Sequence, residues 1–372
     1  MESESSPNEN TPEELPTQAG TTQAGTAHGV TGQPVVVNAV IQQPPDKSVP
    51  RWFAWLGWLL LALAIPTILA LWFSRSEYLD NSGGITERFV SGSSTSDDKI
   101  AIIKVTGTIM SGDGYVKRQI DRVRKDKKVC AVVLRVNSPG GTVTGSDYIY
   151  HHLTKLRDEA ELPIVVSMGG MAASGGYYVA MAVGDQEKSI YAEPTTTTGS
   201  IGVIIPHYNV ADLMKEYGVE NDSIVSHPRK QLLSMTKELP PEHREILQRY
   251  VDQSFDRFKD IVKSGRPKFR ADEAALDALA TGEIFTATQA QKVGLVDELG
   301  FIEEAIERAA ELGGVDAEDA RVVSYSRPMT LIDALGVSVK ADSLETAILE
   351  MTVPRAYYIL TTVPGLVRSS QR

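Results

Sequence analysis

A chain of 372 residues has room for one large domain with extensions, or for two small domains. Its 42% hydrophobic and 23% charged residues are those of an ordinary globular protein. A formal net charge of -11 argues against a nucleic-acid-binding body, because phosphates draw Lys- and Arg-rich surfaces. The single cysteine, Cys130, lies in the apolar run Val129–Leu134 and reads as a small buried hydrophobe, so no disulfide framework exists.

Residues 1–50 are rich in Ser, Thr, Pro, Gln, Gly, Asn and Glu and carry no useful apolar period. Such a segment cannot offset its ordering entropy by burial, and it reads as a disordered tail. Trp52 to Phe73 is a nearly unbroken apolar run with Trp52, Trp55, Trp58 and Trp72 toward its ends. As a helix it spans about 33 Å, enough for a bilayer core. A buried soluble helix rarely runs this far without a charge, and a cleaved signal peptide has a shorter apolar stretch and no long tail before it. The reading kept is a retained signal anchor over 51–74, spanning the membrane once. Lys47 and Arg51 before the span nearly balance Arg75 and Arg88 after it, so charge sets no orientation.

Residues 75–98 end in a Ser-, Thr- and Gly-rich stretch and read as a linker. From Lys99 to 327 apolar β-type runs alternate with helical patterns. Strands are expected at Ile100–Val105, Val129–Val136, Pro163–Ser167, Ser189–Tyr191 and Arg321–Ser324. Helices are expected at Gly145–Asp158, Ser174–Val183, Val210–Tyr217, Glu242–Ser264 and Phe301–Leu312. This alternation predicts an α/β domain with a mainly parallel sheet covered on both faces. Residues 328–372 form a C-terminal extension. Ser343–Met351 has the pattern of a short helix, and Pro354–Val367 is apolar, with the domain, a neighbouring subunit and the membrane surface all open as its partner.

Three glycine-bearing turns follow predicted strands: Arg135–Thr142, Ser167–Tyr178 and Thr197–Val203. In parallel α/β sheets, sites gather at the carboxyl ends of strands, where these turns lie. Ser174 stands at a strand-to-helix turn between two alanines and two glycines, with small neighbours that leave its hydroxyl open. The start of a helix offers unpaired N–H groups, so the Gly175 N–H is a candidate oxyanion donor. An N-capping serine gives the same local pattern, and Pro139-Gly140-Gly141 reads equally as a second donor turn or as a plain turn. A serine nucleophile needs a base. None of the six histidines lies in a recognisable triad context, and a lysine held neutral by its surroundings can serve instead. The Ser-x-x-Lys matches Ser96–Lys99 and Ser234–Lys237 lack companion motifs and are chance. No metal-ligand or phosphate-loop pattern is present in the sequence, so neither metal nor nucleotide cofactor is expected.

Taken together, Arg135–Gly141, Met171–Tyr178, Thr198–Val203 and Gly294–Gly300 resemble, in order and spacing, the signal peptide peptidase A family of the Clp protease–crotonase superfamily. The resemblance covers about Lys99 to Leu312. It implies a Clp protease/crotonase-like parallel sheet with flanking helices, and a membrane-anchored serine endopeptidase working by a Ser/Lys dyad. It makes Ser174 the nucleophile, Gly175 and Gly141 the oxyanion-hole donors with Gly140 adjacent, and Ser200 the serine that orients the base. The family's Ser-Gly-x-x-Lys pattern falls on Ser226-His-Pro-Arg-Lys230, which makes Lys230 the general base. Here His227 replaces the glycine and Thr142 replaces a common third glycine. The implied partners are peptide substrates such as signal-peptide remnants, membrane lipid, and further copies of the chain in a homo-oligomeric ring whose neighbouring subunits complete each active site, with one chain or two adjacent chains both open as the source of Ser174 and Lys230. The implied location is a cell inner or plasma membrane, with the catalytic domain on the extracytoplasmic side. An inactive scaffold of the same fold is the competing reading, and an acyl-CoA-type crotonase a third.

Overall fold

A computed structural model of the chain describes residues 55–68, 84–327 and 356–359. Residues 55–68 form helix α1, with Trp55 and Trp58 exposed. Among the described residues no helix is long and apolar enough to cross a membrane. The rest of the expected 51–74 span, the tail 1–50 and the expected helix at 343–351 lie outside them.

The remaining elements run β1 (Thr86–Gly92), β2 (Lys99–Thr106), α2 (Tyr115–Lys125), β3 (Val129–Ser138), β4 (Gly140–Thr142), α3 (Val143–Glu159), β5 (Ile164–Ala173) and α4 (Gly175–Ala180). They continue with β6 (Ile190–Ala192), β7 (Thr197–Gly199), α5 (Ala211–Glu216), α6 (Pro241–Gly265), α7 (Lys268–Ala271), α8 (Glu273–Leu279) and β8 (Ile284–Thr286). The last are α9 (Ala287–Val293), β9 (Glu298–Leu299), α10 (Ile302–Gly313), β10 (Arg321–Ser326) and β11 (Tyr357–Ile359). The main sheet has the order β1-β10-β2-β3-β5-β6-β9, with β7 also on β5 and β8 on β7. Pairing is parallel from β10 through β9 and antiparallel only at β1–β10 and β7–β8. The expected mainly parallel α/β sheet is therefore present.

Alternation along the strands divides the core. Ala101, Ile103 and Val105 of β2, and Val132, Leu134 and Val136 of β3, face the larger cluster with α2, α3, α4 and α6. Ile100, Ile102, Ala131 and Val133 face the smaller one, closed by Ala305, Ile306, Ala309 and Ala310 of α10. A strand buried on both faces must read as a continuous apolar run. Truncating one of these side chains, such as Leu134→Ala, costs about 2–5 kcal/mol.

The expected domain start at Lys99 is corrected by β1, which lies within the segment read as linker and pairs with β10. Its residues are almost all exposed, Phe89 and Val90 included, so no buried face marks it in the sequence. The segment 356–359 of the C-terminal extension packs on the domain itself, as β11 against β4.

Candidate active site

Strand β5 changes partners along its length. Val166–Met168 pair with β6, and Met171–Ala173 pair with β7. Ala172 and Ala173 are fully buried, so β5 runs through the core to its end. The chain then turns at Ser174, with φ 54° and ψ -117°, and enters α4. A non-glycine residue in this region costs about 1–3 kcal/mol and persists only where its surroundings enforce it. Here the Ser174 N–H donates to the Gly199 carbonyl at 2.7 Å, and the Ser174 carbonyl accepts from Tyr178 N–H at 2.8 Å. The Ser174 side chain makes no capping hydrogen bond. The N-cap reading is thereby set aside, since a capping serine accepts from the first turn's amides. What remains is a strained strand-to-helix elbow carrying a hydroxyl with no structural duty.

Beside it, β7 ends in Ser200, also at positive φ (51°). Its N–H donates to the Glu283 carbonyl at 2.6 Å, and Thr198 Oγ1 donates to the Ala172 carbonyl at 2.6 Å. The third turn lies against the start of α4. Ser138 Oγ donates to the Gly107 carbonyl at 2.6 Å and accepts from Gly140 N–H at 3.1 Å. Gly140 has φ 93°, and a Cβ there would collide with the Tyr358 carbonyl oxygen and lie 2.6 Å from the Gly175 nitrogen. A Cβ on Gly176 would lie 2.6 Å from the Ser138 carbonyl oxygen. Missing side chains thus let two backbones meet, and the Gly140–Gly141 turn lies against Gly175, the residue after Ser174.

The structure therefore gathers Ser174, Ser200, Gly140, Gly141 and Gly175. Lys230 sits on the exposed 3-10 turn Pro228–Gln231. That turn is shaped by His227, whose Nδ1 accepts from Arg229 N–H at 3.1 Å and whose carbonyl accepts from Lys230 N–H at 2.9 Å. Arg229 is held in an ion pair with Glu242, whose carboxyl it keeps below the usual range. Among the described residues Lys230 Nζ has no hydrogen bond or ion pair, and no lysine or histidine bonds to Ser174. Nor does any group of three His, Cys, Asp or Glu residues among them form a metal cluster.

Sequence reading missed the pocket next to the elbow. A cavity of about 280 Å³ is lined by Val143, Asp147, Tyr178, Tyr250, Arg257 and Tyr358, among others. Tyr178 Oη donates to Asp147 at 2.5 Å, and Arg257 pairs with Asp147 at 3.0 Å. Burial first, and then the Asp147 carboxylate, pushes the Tyr178 phenol far up, so it stays a donor. One signal was available: Tyr250, Ser254 and Arg257 share a helical face in α6.

The family model described as "Peptidase family S49" matches residues 157–316, which include Ser174, Ser200 and Lys230. The chain is 38% identical over 237 residues to a Synechocystis sp. protein named "Putative protease slr0021", covering 64% of this chain and 82% of that protein. It is 39% identical over 221 residues to Protease 4 of Salmonella typhi, covering 57% of this chain but 34% of that protein. With "Serine protease SPPA, chloroplastic" of Arabidopsis thaliana it shares 31% identity over 260 residues, covering 65% of this chain and 37% of that protein. The chain thus spans most of the Synechocystis protein and about a third of the other two. The sheet, the three converging turns and these likenesses agree, and the chain belongs to peptidase family S49, the signal peptide peptidase A family.

Proposed function

We propose that the protein is a membrane-anchored serine endopeptidase in which Ser174 attacks a peptide carbonyl and Lys230 of a neighbouring subunit takes its proton. The observation that carries this reading is the Ser174 elbow: positive φ, no capping bond, and the Gly140 backbone packed against Gly175. Lys230 accepts the hydroxyl proton as Ser174 adds to the carbonyl carbon. The N–H groups of Gly141 and Gly175 donate to the oxyanion, and Ser200 orients the lysine. The proton passes to the leaving amine, and water then hydrolyses the acyl ester. The oxyanion donors are backbone amides, which the fold rather than the substrate holds in place.

The base comes from another copy because Lys230 is exposed and its Nζ makes no hydrogen bond or ion pair among the described residues. Earlier in the same stretch of chain Tyr217, Val219 and Ile224 are exposed too, apolar side chains suited to a subunit contact in a ring. Helix α1, with its exposed tryptophans, supports an anchor over 51–74 and an extracytoplasmic catalytic domain. Substrates in that position are unfolded, membrane-proximal peptides, signal-peptide remnants among them.

Lys230→Ala is the test. Hydrolysis of a fluorogenic peptide should fall by about 10³-fold while the assembly keeps its size in solution. Retained turnover would move the base elsewhere. The exposure of Lys230 also favours a second reading, a scaffold that keeps the fold without the chemistry. That reading expects no hydrolysis from the wild type under any assembly condition.

A further inference from the structure

The acidic chain carries one strongly basic element. Between Lys117 and Lys128 stand seven Lys and Arg residues against two carboxylates, in a chain whose formal net charge is -11. Helix α2 turns Gln119, Ile120 and Val123 into the core. At 3.6 residues per turn, Arg118, Arg122 and Lys125 then lie along the opposite face. The turn after α2 adds exposed Lys127 and Lys128. Both carboxylates are already engaged: Lys117 pairs with Asp121 at 2.6 Å, and Lys99 with Asp126 at 2.8 Å. The patch is short of acceptors even within itself. Arg118 Nε, Arg124 Nε and Arg124 Nη2 are buried with no hydrogen-bond partner among the described residues. On the α3 side, burial and then the charges of Lys117, His151 and Arg124 push the His152 pKa down to about 4.

The position of the patch selects its partner. Lys99 Nζ donates at 2.8 Å both to Asp126, just past the end of α2, and to Glu87 of β1. Strand β1 is the first strand of the domain, so the basic end of α2 lies beside the point where the chain enters it. Twelve residues separate residue 74, the end of the expected anchor, from Thr86, a reach of at most about 40 Å. A tether this short keeps the domain at the bilayer surface. Screening confines the field of that surface to about 8 Å at physiological ionic strength, so only the face turned toward it responds. An anionic leaflet draws the basic face and repels the acidic remainder.

We propose that the outer face of α2 and the Lys127–Lys128 turn bind the phosphate headgroups of anionic lipids and seat the catalytic domain on the membrane in one orientation. The proposal rests on the anchor over 51–74 and not on the chemistry of Ser174. Guanidinium and ammonium groups donate charge-assisted hydrogen bonds to phosphate oxygens. The tether makes each encounter intramolecular, so contacts that are weak singly suffice together.

The test is lysine acetylation of the full chain in lipid nanodiscs, read by peptide mass spectrometry. Discs of phosphatidylcholine with phosphatidylglycerol should slow the reaction of Lys127 and Lys128 by about fivefold or more relative to discs of phosphatidylcholine alone. Lys188, exposed in the turn before β6, should react equally in both. Salt at about 1 M, where the screening length falls to about 3 Å, should restore the rates. Arg118→Glu combined with Arg122→Glu should abolish the difference and leave Lys188 as it was. Equal rates at Lys127 and Lys128 in the two discs would overturn the proposal, as would protection that survives the salt or the charge reversal. So would equal protection by free glycerophosphate in the neutral discs, which would make the patch a site for a soluble anion. A chain that the same salt washes from the discs would remove the anchor reading, and this proposal with it.

Discussion

Ser174 and Ser200 stand one residue past the ends of two paired parallel strands, after the register Ala173 to Gly199, and both have positive φ (54° and 51°). The Ser174 amide donates to the Gly199 carbonyl, which ties Ser174 to the end of β7, next to Ser200. Two strained serines on adjacent strand ends mark a site that the fold holds under constraint. Ser200→Ala should lower kcat several-fold, up to about tenfold, the worth of one hydrogen bond to the base. The pH–rate profile should move with it. An unchanged profile would make Ser200 a structural residue only.

Gly140→Ala should disable the site without touching Ser174. The new methyl would meet the Tyr358 carbonyl and the Gly175 nitrogen, both backbone atoms that cannot swing away. Strain of about 1–3 kcal/mol is expected, and kcat should fall by about 100-fold or more through the displaced oxyanion donors. Comparing urea midpoints with peptidase rates separates the two effects.

The rate should rise with pH through the neutral range toward about pH 9, because only the neutral form of an amine takes a proton from serine. A flat profile over that range would count against a lysine base. Lys230→Arg should be as inactive as Lys230→Ala, since a guanidinium stays charged.

Stability has its own pH dependence through His152. Burial first, and then the positive charge of Lys117, lowers its pKa to about 4 from the ordinary 6.5, and among the described residues its Nδ1 has no hydrogen-bond partner. The unfolded chain therefore binds this proton near pH 6.5, while the folded chain binds it only near 4. Stability is fully present above about 6.5 and is lost as pH falls toward 4. His152→Gln should flatten that slope, as read from urea midpoints at neutral and mildly acid pH.

Asp297 accepts from Ser189 N–H and Ile190 N–H, each at 3.0 Å, and pairs with buried Arg266 at 2.7 Å. It ties β6 to the turn before β9. Asp297→Ala should cost about 3–5 kcal/mol by stranding the arginine, with the rate per folded molecule preserved.

Much of this was legible in the sequence because periodicity records burial. Strands β2, β3 and β5 announce themselves as apolar runs, and α3, α6 and α10 by their spacing. The three glycine turns were visible because only missing side chains permit the backbone contacts made there. Strand β1 was hidden because its residues face solvent on an edge. Strand β11 was hidden because Tyr358 is buried by contacts with α4 and α6 that no local pattern encodes. The Gly294–Gly300 stretch was readable as part of a family resemblance, whereas the work of Asp297 as a structural tie needed the fold. Lys230 lies on an exposed turn, where no pattern of burial marks a role.

The central claim is a reactive Ser174 hydroxyl at the elbow. Treating the assembled protein with a fluorophosphonate and mapping the adduct by peptide mass spectrometry tests it most directly. A single adduct on Ser174, lost in Ser174→Ala along with about 10⁴-fold or more of the peptidase rate, is the predicted result. An adduct on another residue, or equal labelling of the two proteins, would contradict the account.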